Sequence, residues 1–164
     1  MDDSFSWSSP LGVSVALFLV YGAIHLVSGG IYALVAETDI SRQGLFFSPG
    51  PDRALFGTSP ADLIRDDRAV VQLRTLSFLA IAALLVGLAI AELSLTWFGL
   101  HEGQRWALVA LAASGLAMVP FLALVFRAYL AAGAPLGLSE IPPWIWVSGV
   151  LFVPATVLGW IGLR

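Results

Sequence analysis

Cysteine and lysine are both missing from this chain of 164 residues. Without cysteine there are no disulfides, no thiolate metal sites and no thiol nucleophiles. Without lysine there is no Schiff base and no phosphate-binding P-loop lysine. All eight basic residues are arginines. Charge of either sign is scarce: 12% of residues are charged, against about 25% in a soluble domain. Histidine occurs twice, as His25 and His101. Two histidines without an HExxH-type spacing do not make a zinc site of three or four ligands. One at mid-span and one in a connecting turn do not make a bis-histidine haem site. A net charge of −3 with no basic tract argues against nucleic acid as a partner.

What the chain has instead is apolar length. It is 59% hydrophobic, with mean hydropathy +0.90. A helix that spans a bilayer needs about 20 mostly apolar residues. Four segments qualify: 11–35, 70–98, 106–130 and 144–163. The expected fold is therefore all-α, an integral membrane bundle of four transmembrane helices forming one domain over 1–164. The first segment is too long for a signal-peptide core and follows no basic stretch, so it reads as a retained span. Pro120 and Pro154 fall inside spans three and four, where they kink rather than end a helix in lipid. A short connection makes spans two and three an antiparallel hairpin.

The loop 38–69 is long and partly helical. "SPGP" at 48–51 reads as a turn cluster. In "TSPADLIRDDR", Ser59 suits an N-cap, Pro60 the first helical position and Asp62 the capping-box acid. A helix from about residue 60 is expected to continue unbroken into span two. Phe46, Phe47, Leu55 and Phe56 suit the headgroup region or a cover over the bundle mouth.

Orientation follows from arginine placement. Arg42, Arg53, Arg65, Arg68, Arg74 and Arg127 lie on the side of the loops 38–69 and 131–143, whereas Arg105 and Arg164 lie opposite. The positive-inside rule puts both termini outside and those two loops in the cytoplasm, in a multi-pass protein of the cell membrane. All six tryptophans fall at span ends, as an interfacial aromatic belt requires.

Span one carries the clearest polar pattern. Steps of four and three align Ser14, Phe18, Tyr21, His25, Ser28 and Tyr32 on one helix face. A polar and aromatic seam of this kind faces protein, not lipid. His25 falls near mid-span, and Gly22, Gly29 and Gly30 allow another helix close by. Four further charges are candidates for burial: Glu37, Arg74, Glu92 and Arg127. Arg74 and Glu92 share a face of span two but lie about 27 Å apart, too far to pair. Glu37, Arg74 and Arg127 could cluster at the loop end and Glu92 could meet Arg105 or His101; for Glu37 and Arg127 the favoured reading is snorkelling to the interface with local pairing.

These residues suggest two kinds of function. No acid is expected at the depth of His25, so a Ser-His-acid arrangement is not expected, and no motif names a reaction or a cofactor. The first reading is a non-catalytic accessory or assembly subunit, packing in the bilayer against other membrane subunits or itself. Small residues on span two, Ala83, Gly87 and Ala91, suit it. The alternative is a bundle that binds or transports a small apolar ligand, lipid, quinone or protons, with Tyr21, His25, Ser28 and Tyr32 as the site. In the first case His25 bonds across to Ser77, Ser114 or a backbone carbonyl.

Overall fold

The computed structural model describes residues 5–38, 47–65 and 68–164, with the backbone alone at 64 and 65. The described residues form helices and turns, without strands. Helix α1 is Pro10–Val35, α2 Pro49–Phe56, α3 Pro60–Arg65, α4 Arg68–Leu95, α5 Arg105–Ala131 and α6 Pro143–Gly162. A π-helical turn, Thr96–Leu100, prolongs α4. Helices α1, α4 with its π turn, α5 and α6 are each long and apolar enough to cross a membrane. The protein is thus a multi-pass membrane bundle, with a termini end and a loop end.

Local chemistry sets the helix starts. Ser9 Oγ accepts from the Gly12 amide at 3.0 Å, and Pro10 fills the first position, where an N–H would have no partner. Ser59 caps α3 in the expected way: its Oγ accepts from the Asp62 amide at 3.2 Å and donates to Asp62 Oδ2 at 2.6 Å. The junction at 66–67, where unbroken continuation into α4 was expected, lies outside the described residues.

Helix α2 corrects the reading of "SPGP" as a turn. Pro49 and Pro51 occupy the first turn of a helix, where amides are unpaired in any case. Gly57, at φ +72°, ends it in the left-handed conformation that glycine adopts freely. The buried Asp52 of α2 accepts from Tyr129 Oη of α5 at 2.7 Å. Phe47 stacks on Phe126 and tilts against Tyr129. Phe47 therefore covers the loop end, whereas Phe56 is exposed. Phe46 lies outside the described residues.

Helix α1 is the central strut, lying against α4 on one side and α6 on the other. Close approach depends on two glycines. A Cβ at Gly29 would lie 2.8 Å from a Val86 methyl and 3.0 Å from the Ala82 carbonyl oxygen. One at Gly22 would lie 3.0 Å from the Leu93 side chain. On the other side Ser14 Oγ donates to the Ala155 carbonyl at 2.7 Å. The seam faces protein as expected: Ser14, Phe18, Tyr21 and His25 are buried, while Leu26 and Val27 face outward. Ala83, Gly87 and Ala91 on α4 also face outward, opposite the buried row Phe78, Ala82, Leu85, Ala89 and Glu92.

Helix α5 is held mainly at its ends. Ala107, Leu108 and Leu111 are buried near the π turn, and Tyr129 is buried under α2. No residue from 112 to 128 is buried. Gly115 packs against Phe152 of α6, but the stretch is otherwise half-buried or exposed, and a cleft lies behind it.

Candidate functional site

His25 projects from α1 into the junction of α4 and α6. Its Nδ1 lies 2.8 Å from Oε2 of Glu92 on α4. Its Nε2 lies 3.3 Å from Oγ of Ser148 on α6. The ring of Tyr21, one turn earlier on α1, meets the imidazole edge-on with 4.5 Å between centroids. His25 and Glu92 are each 1% exposed and Ser148 5%. One polar network thus ties together three membrane helices.

This geometry corrects the expected pairing of Glu92. Arg105 instead donates from Nε and Nη2 to the Leu163 carbonyl, at 3.1 and 2.7 Å. His101 lies 3.3 Å from Glu102 and stacks on Trp97. An acid is at the depth of His25 after all, and the reason is register. Gly22 faces Leu93 and Gly29 faces Val86. Val15 and Leu100 pack in one buried cluster further towards the termini end. Depth counted from the helix ends therefore misplaces the two side chains. The expected serine partners also change: Ser77 donates to the Leu73 carbonyl of its own helix, and Ser148 takes the place beside His25.

The network is incompletely satisfied. A 2.8 Å contact between Nδ1 and Oε2 holds a proton, carried either by the imidazole or by the carboxyl group. The other carboxyl oxygen, Oε1, is buried with no hydrogen-bond partner. A buried carboxyl oxygen left in this way costs about 1–3 kcal/mol. The π turn adjoins this point: Thr96 Oγ1 donates to the Glu92 carbonyl at 2.7 Å. Such turns are frequent at functional sites.

Glu92, His25 and Ser148 have the order of an acid–histidine–serine relay. Acyl transfer also needs donors aimed at a developing oxyanion. The Ser148 and Gly149 amides lie past the first turn of α6 and are engaged in its ladder. The arrangement is therefore suited to hydrogen bonding and proton sharing rather than to nucleophilic attack through Ser148.

Beside the network lies the cleft behind α5. A compartment of about 100 Å³ is lined by Tyr21, His25, Gly115, Ser148, Gly149 and Phe152 among others. A second, of about 230 Å³, lies towards the loop end, lined by Tyr32, Ile81, Phe121, Val125 and others. Met118, Leu122 and Trp144 line both. Tyr32 and Trp144 of the second compartment belong to an aromatic ladder that runs on behind it. The Arg74 guanidinium sits 4.4 Å over the Phe78 ring. Phe78 stacks on Tyr32 at 5.1 Å. Tyr32 Oη in turn accepts from Trp144 Nε1 at 3.3 Å.

The structure thus divides the candidate residues. Tyr21 and His25 line the smaller compartment and Tyr32 the larger. Ser28 faces a different, open groove between α1 and α6, with Pro143 and Val147. Arg74 and Glu92 are buried. Glu37 and Arg127, the other two candidates for burial, are exposed. Their long side chains sit at helix ends, where they reach the interface. Ser148, Phe152 and Trp144 escaped the sequence reading, because single polar or aromatic residues in an apolar helix have no partner visible in one dimension.

No family model, curated protein or solved structure matches this chain.

Proposed function

We propose that this protein binds a small, lipid-soluble molecule within the membrane, in the cleft between α5 and the other three spans. The observation that carries this reading is the His25–Glu92–Ser148 network at the edge of an otherwise apolar, aromatic-walled cleft. Ligand sites are mostly apolar, with a few polar groups that fix orientation. An ionisable pair inside a bilayer is costly unless it serves such a purpose. The unburied middle of α5 supports entry sideways from lipid. The assembly reading rests on the outward row Ala83, Gly87 and Ala91, a feature that lipid alone can cover.

Gly149 offers the test. It lines the smaller compartment, and a Cβ there meets nothing within 4 Å. Gly149→Leu fills the cleft without a clash at its first carbon and removes a glycine from α6, worth up to about 1 kcal/mol of helix stability. After mild extraction and solvent denaturation, mass spectrometry of the wild type is expected to find one apolar compound near one per chain. Gly149→Leu should fold and lack it. Matching lipid profiles in the two preparations would refute the reading.

The arginine distribution supports an orientation with both termini outside the cell membrane and the loops 38–69 and 131–143 in the cytoplasm. Because the chain has no native cysteine, single cysteines report cleanly. Ser4→Cys should react with an impermeant maleimide on intact cells, and Ser59→Cys and Ser139→Cys only after lysis. Labelling of Ser59→Cys on intact cells would reverse the orientation.

A further inference from the structure

We infer that the ligand is a neutral ring-bearing oxygen compound of the quinone or quinol class, with its ring oxygen at Ser148 and His25 and its hydrocarbon tail towards Phe121. This rests on the binding role proposed above and specifies its chemistry.

The polar groups of the cleft are gathered at one end. His25, Ser148 and Tyr21 border the smaller compartment, and the larger one is walled mainly by aliphatic and aromatic side chains. The complement is a molecule with one polar head and an apolar tail. Size narrows the head. The compartment of about 100 Å³ is smaller than the roughly 150 Å³ cavity that holds benzene, so it takes no phospholipid headgroup and holds a ring only where the ring extends towards Met118, Leu122 and Trp144, which line both compartments. Two of its walls are aromatic: Tyr21 and Phe152 pack on each other as a tilted pair, 6.0 Å between centroids, and leave ring faces and edges towards the compartment. The backbone is bare at Gly115 and Gly149; Phe152 lies against Gly115, and the space beside Gly149 is open.

Charge excludes the common alternatives. Among the described residues no arginine lines the His25 compartment to receive a phosphate, and Arg74 lies five turns from Glu92 along α4, about 27 Å away. A carboxylate head would face the Glu92 carboxyl group across a single imidazole. A neutral head remains.

The network also matches both members of a carbonyl–hydroxyl pair. With the proton on Nε2, Ser148 accepts from His25 and turns its O–H to a ligand carbonyl. With Nε2 bare, Ser148 donates to His25 and offers a lone pair to a ligand hydroxyl. When Nε2 loses its proton the shared proton moves from Oε2 to Nδ1, and when Nε2 gains one it moves back, so the two tautomers differ by one proton and the pair's net charge by one. The Ser148 contact, at 3.3 Å, is long enough to yield to a ligand.

The test uses the full chain in lipid nanodiscs, titrated with decylbenzoquinone, which quenches tryptophan. Trp144 borders both compartments, so the signal is the difference between wild type and Trp144→Phe. Saturable quenching is expected, weakened about tenfold in Ser148→Ala, the equivalent of one good hydrogen bond. His25→Gln should weaken it similarly, and Gly149→Leu should leave only the linear component from quinone dissolved in lipid. A brominated alkane of similar length is the control and should quench linearly. If it saturates as the quinone does and Ser148→Ala changes neither, the ring-oxygen class is wrong and the cleft stands. If neither probe saturates, the binding role itself falls.

Discussion

Removing either partner of the His25–Glu92 pair is expected to destabilise the bundle by about 3 kcal/mol. Glu92→Met strands an imidazole at the junction of α1, α4 and α6, and His25→Leu strands a carboxyl group whose Oε1 already has no partner. The stranded group, more than the lost bond, sets the cost. Substituting both residues leaves nothing polar behind, so the double variant should lose much less than the sum. A coupling of about 1–3 kcal/mol is expected between side chains in direct contact. Reversible unfolding in mixed detergent micelles measures all four corners of this cycle. Additive losses would mean that the 2.8 Å contact contributes no net energy and that the two residues matter only by shape. Ser148→Ala, losing the longer contact, should cost under about 1 kcal/mol. This small loss makes it the cleaner variant for binding measurements.

The adjacent glycines of α1 should respond in opposite ways. Gly29→Ile drives a branched side chain into Val86, Leu85 and the Ala82 carbonyl, which is backbone and cannot turn aside. Either α1 separates from α4 or the chain distorts, at about 1–3 kcal/mol. Gly30 has nothing within 4 Å of its would-be Cβ, so Gly30→Ile should stay within about 0.5 kcal/mol of wild type. The separation caused at Gly29 has a second consequence. His25 lies one turn away, so the Nδ1–Oε2 contact should lengthen and the quinone affinity fall with stability. Equal melting temperatures for the two variants would show that α1 and α4 are not in contact at that point.

Much of this was legible in one dimension. Apolar length and scarce charge required membrane helices, and the four-three spacing from Ser14 to Tyr32 placed a polar seam against protein. Shared helix faces put Arg74 and Glu92 on the same row of α4, and both are buried. The capping chemistry at Ser59 needed only local sequence. Helix α2 was missed because two prolines with a glycine resemble a turn. Nothing local shows that Asp52 anchors the segment to Tyr129, from the far end of another span.

Sequence alone determined that four helices are long and apolar enough to cross a membrane and which face of α1 turns inward. Those properties follow from hydropathy and a period of 3.6 residues, both of which act within one segment. The partner of His25 was decided only in the tertiary structure. Glu92 is 67 positions away and Ser148 is 123. Their meeting depends on how far α1 slides along α4, which is set by where glycines let backbones touch. The cleft is likewise a property of assembly. It exists because α5 is fastened near its two ends, by the π-turn hairpin and by α2, and packs loosely between them, with Gly115 against Phe152. No residue of α5 taken alone carries that information.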